Sequence, residues 1–235
     1  MATLTYYIKE NPTQADEYPS LSAMQAARLE DLGANGNSVV VECDPYLNTA
    51  ENNVAVILQG WGTTLGNTLT ITNSPGQPHG VPGDASTEGF ILQVNDTFAA
   101  ALRINEDYAI VKNISITNNV TSNSSTGLIM NGDFNTVDSL ILRGGTGTTN
   151  SRALDMLVTT GGNSLTVTNI LALQGGEEGI YLSSAANGTV ANCTCISGAL
   201  YGFRKAGTNT NLTATNIVSY GHVTADFDPT GLTLV

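Results

Sequence analysis

Between Ala101 and Ile217 the apolar positions repeat one short phrase five times. Its first half is a small residue, an apolar residue, any residue and a long side chain. It reads Ala101-Leu102-Arg103-Ile104, Gly127-Leu128-Ile129-Met130, Ala153-Leu154-Asp155-Met156, Gly179-Ile180-Tyr181-Leu182 and Gly202-Phe203-Arg204-Lys205. Its second half sets an amide or hydroxyl between apolar residues, as in Val111-Lys112-Asn113-Ile114 and Val167-Thr168-Asn169-Ile170. Successive first halves start 23 to 26 residues apart, a solenoid period. Each half alternates with period two over four or five residues, the mark of a short half-buried strand. Leucine-rich repeats fit poorly, because no L-x-x-L-x-L core recurs and no amphipathic helix follows each strand.

One turn of the phrase therefore reads as one coil of a parallel β-helix. The polar residue of the second half is a tight bend between two strands, since Asn tolerates the left-handed conformation that such a bend requires. Coils stacked about 4.8 Å apart bring Asn113, Ser139, Asn169, Asn192 and Asn216 into one column, where the amides can hydrogen-bond along the axis. The alternative is five independent polar turn residues. Lys205 occupies the position of Ile104, Met130, Met156 and Leu182, which implies that the core thins at the last coil.

Upstream, the pattern is less regular. Residues 20–32 predict a helix, with Ser20 or Ser22 as cap and Gly33 and Gly36 ending it. Such a helix can close the open end of a β-helix. Strands are predicted at Val39–Cys43, Val54–Leu58, Leu69–Ile71 and Phe90–Leu92, without an alignment to the later phrase. The expected organisation is one structural domain: an N-terminal segment and capping helix over 1–36, the β-helix over 37–220 and a tail over 221–235. Aromatic residues concentrate early. Tyr6, Tyr7, Ile8 and Trp61, with the 73–88 loop, are candidate partner contacts, because Tyr and Trp bury a large rigid surface while keeping one polar handle. Equally, these aromatics can plug the first coil around the helix.

Composition narrows the function classes. Lys and Arg number 8 against 20 Asp and Glu, for a formal net charge of −12. Nucleic acid and anionic membrane both need a basic footprint, so neither is an expected partner. Only 12% of residues are charged, about half the usual share, which suits an all-β chain with uncharged, stackable faces. No stretch reads as a signal peptide or reaches membrane-spanning length, so the expected product is made in the cytosol and not secreted. Three cysteines form no disulfide framework, and Cys193 and Cys195 read as small core hydrophobes. With two histidines, His79 and His222, no metal site and no cofactor is expected.

The coil period, the strand phrase and the Asn bend resemble the pectate-lyase-like superfamily over roughly residues 37–225. The resemblance implies an all-β, right-handed, single-stranded parallel β-helix. It also implies that any chemistry lies on the outer face of the first-half strands, a family that includes pectate lyases, polygalacturonases and bacteriophage surface proteins. Here that face offers Arg103, Asn105, Ile129, Asn131, Asp155, Leu157, Tyr181, Ser183, Arg204 and Ala206, with one carboxylate. Glycoside hydrolysis needs two and a calcium-assisted lyase several, so no catalytic residue is expected. Glu177 and Glu178, in a closing loop, read as a solvated acidic pair, although they can join Asp155 across one coil. The expectation is a non-catalytic structural protein on a phage virion surface, a capsid decoration protein. Its expected partners are capsid or other virion proteins and copies of itself, with a trimer as the resemblance implies. The alternatives are a tail-spike or fibre module that binds host polysaccharide, and a polysaccharide lyase or glycoside hydrolase.

Overall fold

A strand with period-two alternation buries every second side chain, and in this chain the strands of successive turns stack parallel to share one interior. The computed structural model describes residues 2–29, 32–48, 55–77, 89–95, 100–121, 124–147, 149–157, 164–173, 175–183, 187–196, 200–206, 211–227 and 233–234. Elements are numbered along the chain. The first are β1 (Ala2–Ile8), β2 (Glu17–Tyr18), α1 (Leu21–Arg28) and α2 (Leu32–Asn35). The coils then run β3 (Asn37–Cys43), β4 (Leu47–Asn48), β5 (Val56–Gln59), β6 (Leu69–Asn73), β7 (Ile91–Val94), β8 (Leu102–Asn105), β9 (Ile110–Lys112), β10 (Ser115–Asn118), β11 (Leu128–Asn131) and β12 (Thr136–Arg143). They continue with β13 (Arg152–Leu157), β14 (Ser164–Leu173), β15 (Glu178–Ser183), β16 (Asn187–Ile196), β17 (Tyr201–Ala206), β18 (Asn211–Tyr220), β19 (Ala225–Phe227) and β20 (Thr233–Leu234).

Every pairing between these strands is parallel. The smaller sheet runs β19-β17-β15-β13-β11-β8-β5 and holds the first halves of the phrase. The larger sheet runs β2-β1-β3-β6-β9-β12-β14-β16-β18-β20, with β4, β7 and β10 beside that path. The fold is thus a parallel β-helix. The irregular early strands join the same stack: β5 pairs with β8, β7 with β10, and β3 with β6.

Register makes the interior a set of columns. Leu102, Leu128, Leu154, Ile180 and Phe203 lie over one another, all fully buried. A second column shrinks as that one grows, from Ile116 and Leu142 through Ala172 to Cys195. Cys195 and Cys193 are free and fully buried, and burial pushes the Cys193 thiol up to about 11. Gly179 leaves the room this packing needs, since a Cβ there would lie 3.1 Å from the Cys195 Cβ.

The bend residues set the cross-section. Asn113, Ser139, Asn169, Asn192 and Asn216 have φ of 58, 53, 56, 56 and 52°. In β14 Leu165 and Val167 are buried before the bend and Ile170 and Ala172 after it, while Asn169 is exposed. A straight strand would carry Asn169 into the core; the left-handed residue shifts the alternation so that both arms face inward. The Asn216 amide donates to Asn192 Oδ1 at 3.1 Å, Asn192 to Asn169 Oδ1 at 3.1 Å, and Asn169 to Asp138 Oδ1 at 2.8 Å. The Ser139 hydroxyl donates to Asp138 Oδ2 at 3.2 Å. Asp138 also accepts from the Thr168 hydroxyl at 2.6 Å. Burial opposes the charge, but these donors hold the Asp138 carboxyl below its usual value. The Asn113 amide donates to Thr72 Oγ1 at 3.5 Å.

The N-terminal segment belongs to the stack. β1 lies in register with β3 from Ala2 opposite Asn37 to Ile8 opposite Cys43. Ser20 caps α1, its hydroxyl accepting from the Ala23 N–H at 3.1 Å. The predicted 20–32 helix ends at Arg28, and a second short helix, α2, starts at Leu32 and includes Gly33, expected to end the first. Leu29 leaves helical geometry at φ −58°, ψ 122°. The N–H groups of Leu32 and Gly33 then donate to the carbonyls of Trp61 and Gly62, at 2.6 and 2.8 Å, which fastens α2 to the first coil.

The bend column yields a two-part prediction. Asn192→Gly keeps the left-handed backbone and removes two ladder bonds, costing about 1 to 2 kcal/mol. Asn192→Ala removes the same bonds and adds a left-handed penalty of roughly 1 kcal/mol. Urea unfolding should rank wild type above Gly above Ala; Ala equal to Gly would remove the conformational part of the argument.

Candidate functional site

The small-residue positions of the phrase force the chain close to the neighbouring coil and bring the preceding residues into line. Arg152 lies opposite Glu178, and Glu178 opposite Tyr201, while Asp155 lies opposite Tyr181 and Tyr181 opposite Arg204. These two columns on the outer face of the smaller sheet mesh into one ionic network. Arg152 donates from Nε to Glu178 Oε2 at 2.8 Å and from Nη1 to Asp155 Oδ2 at 2.6 Å. Arg204 donates from Nη1 to Glu178 Oε1 at 2.8 Å. The Arg152 guanidinium lies 3.8 Å from the Tyr181 ring centroid, and Arg204 lies 5.1 Å from that of Tyr201.

Most of this network is buried. The Glu178 side chain is 0% exposed, Asp155 5% and Arg152 12%. The closing loops beside it pack backbone on backbone. Gly176 N–H donates to the Gly145 carbonyl at 2.9 Å, and a Cβ on Gly176 would lie 1.6 Å from the Gly147 oxygen. Burial raises the Asp155 carboxyl above its ordinary value, Arg152 opposes that rise, and the Glu178 charge adds to it. Asp155 Oδ1 is buried and has no hydrogen-bond partner. The reading of Glu177 and Glu178 as a solvated pair is corrected: Glu178 is fully buried between two arginines, and Glu177 is 16% exposed, with its backbone carbonyl accepting from Leu200 and Tyr201.

Chemically, the network is closed on itself. The guanidinium of Arg152 bridges the two carboxylates. Sequence reasoning placed Asp155, Tyr181 and Arg204 on this face but missed Arg152. Its signal was available: Arg152, Glu178 and Tyr201 each stand just before the small residue that opens a first half, and oppositely charged neighbours across a ladder attract.

Beside this network, toward the following turn, a groove of about 710 Å3 is lined by Gly62, Thr63, Asn105, Glu106, Asp107, Asn131, Gly132 and Leu157. A second amide ladder runs along it: Asn131 donates to Asn105 Oδ1 at 2.7 Å, and Asn105 to Gln59 Oε1 at 3.0 Å. The ladder stops at Leu157, the residue opposite Asn131 in the next coil. Among the described residues no lysine or arginine lines the groove.

The early aromatic candidates lie elsewhere. Ile8 and Trp61 are fully buried and Tyr6 is 9% exposed, so these three face the interior and offer a partner no surface. Trp61 donates its indole N–H to Gln25 Oε1 at 2.6 Å, and its backbone N–H to Glu106 Oε1 at 2.7 Å, tying α1 to the coils. The Tyr6 and Tyr18 rings meet edge to face at 6.1 Å, and Arg28 lies 5.7 Å from the Tyr6 ring. Tyr7 is half-buried, with the Lys9 ammonium 5.4 Å from its ring. Of the 73–88 loop, residues 78–88 lie outside the described residues. Lys205 is 2% exposed in the inward column, and burial lowers its pKa. Among the described residues no cluster of His, Cys, Asp and Glu suits a metal ion, and no helix is long and apolar enough to cross a membrane.

No protein-family model matches the chain, and comparison with curated proteins and with solved structures finds no match.

Asp155 gives the network a pH signature. Its folded value lies above the ordinary 3.8, so the folded state binds its proton more tightly than the unfolded chain. The resulting stability is complete below 3.8 and is lost as pH rises through the raised folded value. Asp155→Asn mimics the protonated form at every pH. Thermal melts from acid to neutral should show the variant gaining on wild type as pH rises, by about 1.4 kcal/mol for each pH unit between the two values. A constant difference would contradict this.

Proposed function

We propose that the chain is a non-catalytic structural β-helix of a bacteriophage virion, acting as a decoration protein on the head surface. The observation that carries the non-catalytic half is the Arg152 guanidinium seated between Asp155 and Glu178. Paired carboxylates cleave glycosidic bonds only with substrate or water between them, and here the Arg152 guanidinium is hydrogen-bonded to both, with Arg204 also paired to Glu178. The virion half is supported by the parallel β-helix itself and by a surface with a net charge of −12 and few charged residues, which suits a displayed, soluble component. Capsid proteins and further copies of the chain are the partners this reading names.

Two measurements test it. The purified protein should release neither unsaturated nor reducing ends from acidic polysaccharides, with or without calcium; release that disappears in Asp155→Ala would overturn the non-catalytic half. Immunogold labelling of particles from cells that make the protein should decorate heads at regular spacing. Label confined to the cytosol or cell wall would overturn the virion half.

The groove favours a second reading, a module that binds polysaccharide. Amides and carboxylates without a cation suit the hydroxyl groups of a neutral glycan and repel an anionic one. Calorimetry against neutral glucan, mannan and galactan oligomers should then detect binding that Asn105→Leu abolishes, and its absence across the three would dismiss this reading.

A further inference from the structure

Each coil of the smaller sheet sets one side chain at the far end of its outward face, and these side chains form a column. In order it holds Gln59, Asn105, Asn131, Leu157, Ser183 and Ala206. The first three are amides joined in line, Asn131 donating to Asn105 Oδ1 at 2.7 Å and Asn105 to Gln59 Oε1 at 3.0 Å. Both ends of this run are defined. β5, which carries Gln59, is the edge of the sheet among the described residues. There α1 packs against it, and Gln25 Nε2 donates to the Gln59 carbonyl at 2.8 Å. At the other end Leu157 stands opposite Asn131 and has no donor to offer. Asn131 Oδ1 is accordingly buried with no hydrogen-bond partner.

The groove beside the column has the same extent. Gly62 and Thr63 line it in the coil of Gln59, Glu106 and Asp107 in the coil of Asn105, and Gly132 in the coil of Asn131, with Leu157 closing the set. Its acidic wall is held in place. Glu106, 8% exposed, accepts from the Trp61 N–H at 2.7 Å, and Asp107 Oδ1 accepts from the Asp133 N–H at 2.7 Å. Fixed carboxylates with no cation among the described lining residues oppose an anionic sugar.

Resting on the glycan reading above, we infer that the groove takes three consecutive rings of an extended, neutral, β-1,4-linked chain, one ring per amide, and that Leu157 sets this limit. Each amide spends at most one N–H on the ladder, so at least one N–H per coil remains for a sugar hydroxyl. Such a chain advances per ring by nearly the coil spacing of about 4.8 Å, so successive rings meet successive amides in step. Leu157 offers neither donor nor acceptor. A hydroxyl set against it loses water and gains no partner, so a fourth ring adds nothing to binding.

Calorimetry with β-1,4-linked glucan, mannan and galactan oligomers of two to six rings tests it. In the series that binds, affinity should rise by about tenfold from two rings to three, the worth of one or two hydrogen bonds, and stay level from three to six. Leu157→Asn supplies a donor for Asn131 Oδ1 and a fourth amide to the column, and should move the plateau to four rings. Asn131→Leu should move it to two. Both variants should keep the wild-type circular dichroism. Wild-type affinity that keeps rising past three rings, or a folded Leu157→Asn whose plateau stays at three, would overturn the three-ring limit and leave the groove a glycan site. Binding of none of the oligomers would overturn the glycan reading, and this inference with it.

Discussion

Register between parallel coils is the constraint on which the rest of this structure depends. A one-residue slip in a strand with period-two alternation exchanges its two faces, and here every coil carries three short arms that must all face one interior. The left-handed residue of the bend column makes this geometry attainable, because it shifts the inward alternation between Val167 and Ile170 without an insertion. Once that register is set, unlike residues far apart in sequence become neighbours, Arg152 with Glu178 and Asp138 with Asn169 among them.

The ionic network shows how such a fold handles charge on a covered face. Burying a carboxylate costs several kcal/mol unless it is paired and hydrogen-bonded. Glu178 accepts from two arginines, and Arg152 is shared between two carboxylates and stacked on Tyr181. Asp155 is less well served, with one oxygen unpartnered and its carboxyl raised by burial. A face so occupied ties three successive coils together, β13, β15 and β17.

Much of the fold was legible in the sequence, and the reasons are specific. The apolar columns and the bend positions repeat, and repetition exposes register even when single strands are short. The early strands resisted alignment because the connection after β6 is long and β1 reaches the sheet from the N-terminal side of α1. The single 20–32 helix was misjudged because propensity does not show that the Leu32 and Gly33 N–H groups bind the Trp61 turn. At the site, the phrase was framed from its small residue, which hid Arg152 one position earlier. Burial is likewise invisible to composition: Glu178 reads as a loop carboxylate, yet its side chain is 0% exposed. Ile8 and Trp61, chosen as aromatic or apolar anchors, are interior for the same reason.

The Arg152–Asp155–Glu178–Arg204 network is a fastener for the coils. A double-mutant cycle between Arg152→Met and Glu178→Gln, read by urea unfolding, tests it most directly. Removing one partner of a buried pair should cost about 3 to 5 kcal/mol, and removing both should recover a large part of that loss. Single variants as stable as wild type, or more stable, with no coupling between them, would be the behaviour of residues held against stability for a catalytic purpose, and would contradict the account.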